Sequence, residues 1–370
     1  MLKKIFFIWL SFVYVGLSQT KIIHYNRNDF KADPQFWNMC ENNDGTLIFG
    51  NNDGALVFDG EHWQKIYLPN NSSVRGMVKT RKGVLYVGGY NEFGTIQKNK
   101  FGKYFYKSLI SKFHLEDKNL ENLWQVHQFG EQIIYRSFSE LIVISGNRAT
   151  QLPSNKIFTY STVVGDNYYV QDLESGLYKL NSKTISLEPV FNNSSFPLDE
   201  LVSILPTKDP NVILLVSKSG IIFTGDLSKK IIIHKKYLFE GVKNDQITTA
   251  LCLDNFEYLF GTLSSKIISL NNLGVINRNN ENFSGLSNAS IQCLFQTKNK
   301  NIWVLKNNGL SFLDFKSPFI SVFEGAPVYD ILVKGNFVYI ATNNGIFYSN
   351  FSLTTNSFNF VKVDGLQGQC

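Results

Sequence analysis

Several things are scarce in this chain, and each scarcity closes a line of reading. Four cysteines in 370 residues, Cys40, Cys252, Cys293 and Cys370, form no Cys-x-x-Cys pair and no regular spacing, so they read as isolated core thiols rather than a disulfide framework or a zinc site. Five histidines fall in different parts of the chain, with no His-x-x-x-His or His-x-x-Glu-His spacing for a metal. Charge of one sign is nowhere clustered, which argues against a nucleic-acid surface in this region. Gly-x-Ser-x-Gly, a Walker-type loop and Gly-x-Gly-x-x-Gly are all missing, and with them the usual hydrolase, nucleotide and dinucleotide signatures. Sustained helical periodicity is missing too. The reading therefore assigns no catalytic residue, no metal and no cofactor.

Long apolar runs are also absent, except at the start. Lys3 and Lys4 precede an apolar stretch over 5–17, followed by Ser18, Gln19 and Thr20. A charged start, a short apolar centre and a polar exit predict a secretory signal peptide over 1–20; the run is shorter than the roughly 20 residues a membrane span wants. Setting Lys3 and Lys4 aside leaves 34 basic and 30 acidic side chains, a net charge of +4 spread along the length. Apolar residues make up 44% of the chain and aromatics 14%, ample for a packed core.

What is present is repetition. The stretch "NNDGALVFDGEHW" at 51–63 places Asn, Asp and Gly around short apolar runs, and its acids could be taken for a calcium loop. The spacing refuses this: with Gly54 as the sixth position of a twelve-residue loop, the first is Phe49 and the twelfth Gly60, neither a ligand. With Asp-Gly between strand-like runs, a hairpin turn is the reading that fits. The same order of apolar run, turn, apolar run, turn recurs at 38–60, 74–97, 123–145, 160–180, 201–225, 247–270, 291–314 and 328–350. Eight units of about 40 residues with four short strands each predict an all-β fold, a β-propeller of four-stranded blades.

Three segments carry a resemblance: "FDGEHW" with "YLPNNSSVRGMVKTRKGVLYVGGYNEFG" in 58–94, "LW" with "IIYRS" in 123–137, and "GLSNASIQCLFQTKNKNIWVLKNNGLSFLD" at 285–314. They resemble the two-component regulator propeller repeat, and the likeness runs over essentially the whole chain after residue 20. It implies the extracytoplasmic sensor part of a bacterial regulator that continues into a triple-tyrosine domain, a membrane helix and then a histidine kinase or a LuxR-type helix-turn-helix; Asn-Glu-Phe-Gly at 91–94 after "YVGG" is most like the helix-turn-helix branch. The fourth unit departs from the repeat in lacking an aromatic after its first turn, and the fifth in carrying Pro206 and Pro210. Paired seven-bladed propellers are common in that family. The resemblance thus implies a seven-bladed propeller over 21–317 and, over 318–370, the first blade of a second propeller, truncated; a single eight-bladed ring is the alternative.

Propellers bind at the central funnel, at the starts of the innermost strands. Aligning the units puts Trp37, Arg75, Trp124, Ser161, Val202, Thr248 and Gln292 at one position and Asn38, Gln125 and Thr162 among those at the next. Trp37, Asn38, Arg75, Trp124, Gln125, Thr162 and Gln292 are the candidate ligand residues, a mix of aromatic faces and amides suited to a glycan or other small ligand. The competing reading has both tryptophans packing between blades and the polar groups holding water. Arg75 and Glu92 could pair between neighbouring loops. The functional expectation is a non-enzymatic sensor, periplasmic after cleavage and tethered to the inner membrane through a downstream segment, able to form a homodimer. Its rivals are a secreted polysaccharide glycosidase or lyase, which needs two or more convergent carboxylates, and a protein-interaction platform, which needs a plugged funnel.

Overall fold

The computed structural model describes residues 21–192, 199–239, 245–278, 288–315, 326–350 and 358–365, with Phe283, Gly285, Leu286 and Phe323 between them. The signal-peptide stretch, most of the link after Phe315 and Cys370 lie outside the described residues. The described chain forms eight four-stranded antiparallel sheets. Its helical content is one turn at Arg27–Phe30 and a 3-10 turn at Ser111–Phe113. The chain divides into two compact units, one spanning Ile22–Leu313 and the other holding the eighth sheet.

The first unit is a closed ring of seven blades. Its inner strands, Phe36–Glu41, Gly76–Lys79, Gln125–Phe129, Phe158–Val164, Leu201–Pro206, Ile247–Cys252 and Ile291–Gln296, neighbour one another in that order, and the last returns to the first. Closure comes from the N-terminal strand. We label it β1 (Lys21–Tyr25); it supplies the outermost strand of the seventh blade, beside Gly309–Asp314. Tyr25 stacks on Trp303, with ring centroids 5.5 Å apart, and meets Phe58 and Trp63 of the first blade edge-on. The seam between first and last blades is thus sealed by aromatics, which supply large buried area at fixed geometry.

The first blade shows why the turn residues stand where they do. It consists of β2 (Phe36–Glu41), β3 (Leu47–Asn51), β4 (Gly54–Phe58) and β5 (Trp63–Ile66). Asn52 and Asp53 connect β3 to β4, as a hairpin turn requires, and the positive φ falls on Gly54, at 113°. A Cβ there would lie 2.3 Å from the Ile66 carbonyl oxygen, so glycine is required twice over. The polar side chains do more than turn the chain. Asn51, fully buried, donates to the Asp33 and Gln35 carbonyls; Asp53 pairs with Lys65 at 2.9 Å; and the Asn52 carbonyl accepts from the Trp37 indole at 2.8 Å. Among the described residues no three metal-ligating side chains come together.

The eighth sheet, over Val328–Lys334, Phe337–Thr342, Gly345–Asn350 and Val361–Lys362, repeats the blade pattern. Its first strand is exposed along its whole length, with Ile331, Leu332 and Val333 each about 60% accessible.

Candidate functional site

Each blade of the ring begins with the same device. A buried apolar anchor, Phe36, Val74, Leu123, Phe158, Leu201, Ile247 or Ile291, is at most 2% exposed. The residue after it faces the axis. In five blades this residue is a bulge, skipped by the pairing between Phe36 and Asn38, Phe158 and Tyr160, Leu201 and Ser203, Ile247 and Thr249, and Ile291 and Cys293. In the second and third blades the residue just precedes the strand, the Arg75 and Trp124 amides donating to the Gly88 and Arg136 carbonyls. A bulge re-aims one side chain without disturbing the ladder beyond it. The result is a ring of Trp37, Arg75, Trp124, Thr159, Val202, Thr248 and Gln292 around one cavity of about 830 Å³, lined by all seven inner strands.

All seven candidate residues line this cavity: Trp37, Asn38, Arg75, Trp124, Gln125, Thr162 and Gln292. The alignment of the fourth blade needs correction, however. Its anchor is Phe158, so the axial position belongs to Thr159, and Ser161 is fully buried, bonded to Gln125. The sequence "FTYSTVV" offers two registers, and only the buried anchor selects between them. The Arg75–Glu92 pairing does not form. Glu92 is buried in its own blade, accepting from Tyr106 at 2.8 Å and Ser108 at 2.7 Å.

Arg75 instead sits in the corner formed by the two tryptophans, its guanidinium carbon 4.2 Å from the Trp37 ring centre and 4.3 Å from that of Trp124. The indoles stand edge to face, 5.8 Å apart. With the rings nearly perpendicular, a planar guanidinium can lay a face on one of them at most, and an edge meets the other. Nε donates to Ser73 Oγ at 3.1 Å, and partial burial draws the Arg75 pKa below its ordinary value. Arg75 thus occupies one face of each indole.

Several polar groups of the wall tie blade to blade. The Gln125 carbonyl accepts from Arg136 Nε at 3.0 Å and from the Ser161 amide at 2.7 Å, while Asn38 reaches the Met77 carbonyl at 3.5 Å. Thr248 donates to the Ile291 carbonyl of the next blade. Gln292 bonds Ser290 at 3.0 Å. Thr162 stands beside the Tyr160 hydroxyl, whose pKa burial raises.

The lining also holds residues outside the two aligned positions, among them Arg136, Phe138, Glu200 and Lys218. Arg136 ends the second strand of its blade, where the first, second and sixth blades carry Gly50, Gly88 and Gly261. At that position the next blade closes in, and a Cβ on these glycines would meet Val74, Leu123 and Ile291. Arg136 fills the place differently, donating from Nη1 to the Phe158 carbonyl at 2.9 Å; burial lowers its pKa to about 10. Glu200 pairs with Lys218 at 2.8 Å. Cys293 lies in the wall as a free thiol whose pKa burial raises to about 12, which keeps it protonated and unreactive.

His127, also in the wall, has its Nε2 buried without a partner, and burial lowers its pKa from 6.5 to about 4. The folded value is the lower one. Stability is therefore complete above pH 6.5 and is lost as pH falls towards 4, because the unfolded chain takes up the proton first. The loss expected from this group is about 3 kcal/mol. Urea unfolding of wild type and His127→Gln, above pH 6.5 and near pH 4, measures it; equal pH dependence in the two would refute the assignment.

The geometry defines a β-propeller with an axial cavity walled by all seven blades. Solved structures share this fold. The chain aligns with the extracellular domain of BT4673 from B. thetaiotaomicron, described as a one component and as a hybrid two component system. The TM-score is 0.62 and the identity 16%, over 96% of this chain and 49% of that one. It aligns likewise with the extracellular domain of the hybrid two component system BT3049 from the same organism, at TM-score 0.59 and 15% identity over 94% of this chain and 50% of that one. Virginiamycin B lyase from Staphylococcus aureus matches 80% of this chain and 99% of its own, with TM-score 0.65 and 12% identity. The chain thus spans about half the length of the two extracellular domains. No protein-family model matches it, and no curated protein does.

Proposed function

We propose that this chain is the ligand-sensing, extracytoplasmic propeller of a bacterial transmembrane regulator, with the axial cavity as its ligand site. The observation that carries the reading is the convergence of Trp37, Asn38, Arg75, Trp124, Gln125, Thr162 and Gln292 on one cavity of about 830 Å³, a volume suited to a small molecule or short glycan. The likeness in fold to extracellular domains of one- and two-component systems supports the sensing role. A polysaccharide-cleaving propeller would need two convergent carboxylates. Glu200 is the one carboxylate of the described lining, and Lys218 holds it, which favours a non-catalytic site. The exposed apolar strand Val328–Lys334 reads as the inner strand of a second propeller's opening blade, an assignment that downstream sequence without further blades would refute. In this reading the protein is exported through the signal peptide at 1–20 and tethered to the membrane downstream. No helix among the described residues is long and apolar enough to cross one.

The test is a thermal-shift screen of neutral and acidic oligosaccharides against wild type and the cavity-filling variant Gln292→Trp. A ligand at a hundred times its Kd stabilises by about 2.7 kcal/mol, and filling the cavity is expected to erase that shift while the β-sheet circular dichroism is kept. A ligand response that survives the filled cavity sinks the reading.

A further inference from the structure

The charges of the cavity wall point to the kind of ligand it takes. Its lining carries three cations, Arg75, Arg136 and Lys218, against the single carboxylate of Glu200, a net of two positive charges facing one cavity. Lys218 and Glu200 neutralise each other at 2.8 Å, and Arg136, 4% exposed, gives Nε to Gln125 and Nη1 to the Phe158 carbonyl. Arg75 is the cation left over. Its Nε bonds Ser73, its guanidinium packs against Trp37 and Trp124, and among the described residues no acceptor meets its terminal nitrogens.

A half-buried guanidinium gives up some water, contact with two indoles returns part of the loss, and its terminal N–H donors remain available to an acceptor. Two parallel N–H groups in a rigid fork match a carboxylate or a sulfate. The two indoles and the bond to Ser73 also restrain the side chain, so the fork is pre-organised. The uncompensated charge, walled by protein on all sides of the axis, attracts anions into the cavity.

We propose that the axial cavity binds an anionic ligand, a small molecule bearing a carboxylate or sulfate group, with the Arg75 guanidinium edge as the anion clamp and Trp37 and Trp124 as the walls that hold it in position. This deepens the sensing role proposed above and rests on the same cavity. It also assigns the two tryptophans to the arginine rather than to a sugar ring.

The test uses the folded chain and three probes titrated at constant ionic strength: sulfate alone, glucuronate, and glucuronamide, which has the shape of glucuronate without its charge. Binding is followed by tryptophan fluorescence and calorimetry. Glucuronate is expected to bind more tightly than glucuronamide, with sulfate competing for the same place. Arg75→Gln should weaken glucuronate about 10- to 100-fold and glucuronamide much less, while Arg75→Lys, which keeps the charge but loses the fork, falls between. Equal binding of glucuronate and glucuronamide, unaltered in Arg75→Gln, overturns the anion clamp while leaving the cavity as a ligand site. Failure of sulfate and glucuronate alike to bind wild type overturns it too. Failure of the sensing site itself shows differently, as a ligand response that persists in Gln292→Trp.

Discussion

Removing residues 21–25 is expected to open the ring. Strand β1 is held by antiparallel pairing to Gly309–Asp314, by the His24 to Ser311 hydrogen bond at 2.8 Å, and by the contacts of Tyr25 with Phe58, Trp63 and Trp303. Its loss exposes the edge of Gly309–Asp314 and uncovers the aromatic seam, where Phe49 and Phe312 also lie against Trp303. The expected cost exceeds about 5 kcal/mol, comparable with the whole stability of a small domain. Tyr25→Ala alone should cost about 2 to 3 kcal/mol. Gly309→Ala should mimic the deletion with one methyl group, since φ is 133° there and a Cβ would lie 2.5 Å from the Tyr25 carbonyl oxygen. Urea unfolding followed by tryptophan fluorescence, with limited proteolysis of the native state, measures all three. A deletion variant unfolding at the wild-type midpoint would show that β1 does not close the ring.

The second large effect is expected at Arg136. The side chain is 4% exposed, and its guanidinium supplies donors to the Gln125 side chain and the Phe158 carbonyl, the latter on the anchor of the next blade. Arg136→Ala removes the donors, leaves the Phe158 carbonyl buried without a partner and empties the space. The expected loss is about 3 to 5 kcal/mol. Arg136→Met restores much of the volume without the donors and should recover about half of that. Midpoints of urea unfolding decide the matter, and a change within about 0.5 kcal/mol for Arg136→Ala would mean that the residue behaves like a surface side chain.

Arg136 and Arg75 also show how far the site could be read in advance. Arg75, Trp37 and Trp124 were legible because each follows an apolar anchor at the same place in a repeating unit, and the repeat brings that place to a common axis. Arg136 occupies a position where other blades have glycine, and nothing in "IIYRS" says that its side chain reaches a neighbouring blade. Glu200 and Lys218 reach the wall in the same unannounced way, from the start of an inner strand and the turn after the next one. Ser161 was misplaced because the fourth unit contains two apolar residues that could serve as anchor, and the choice depends on which of them the neighbouring blades bury. The "NNDG" turn was legible as a turn, but not as the clamp that joins Asp33, Gln35 and the Trp37 indole.

By itself the sequence determined the repeating unit, its four strands, the glycine and Asx residues at the turns, and the residue of most blades that faces the axis. These are local properties, set by apolar alternation and by the backbone conformations that particular residues tolerate. Only the tertiary structure decided that seven blades close with β1 as the last strand, that Arg75 packs against two tryptophans instead of pairing with Glu92, and that Arg136 enters the wall. The physical reason is that each depends on the distance between blades. A cation–aromatic stack, a hydrogen bond to the next anchor and a sealed seam are contacts between units, and a repeat pattern specifies the unit before it specifies the neighbour.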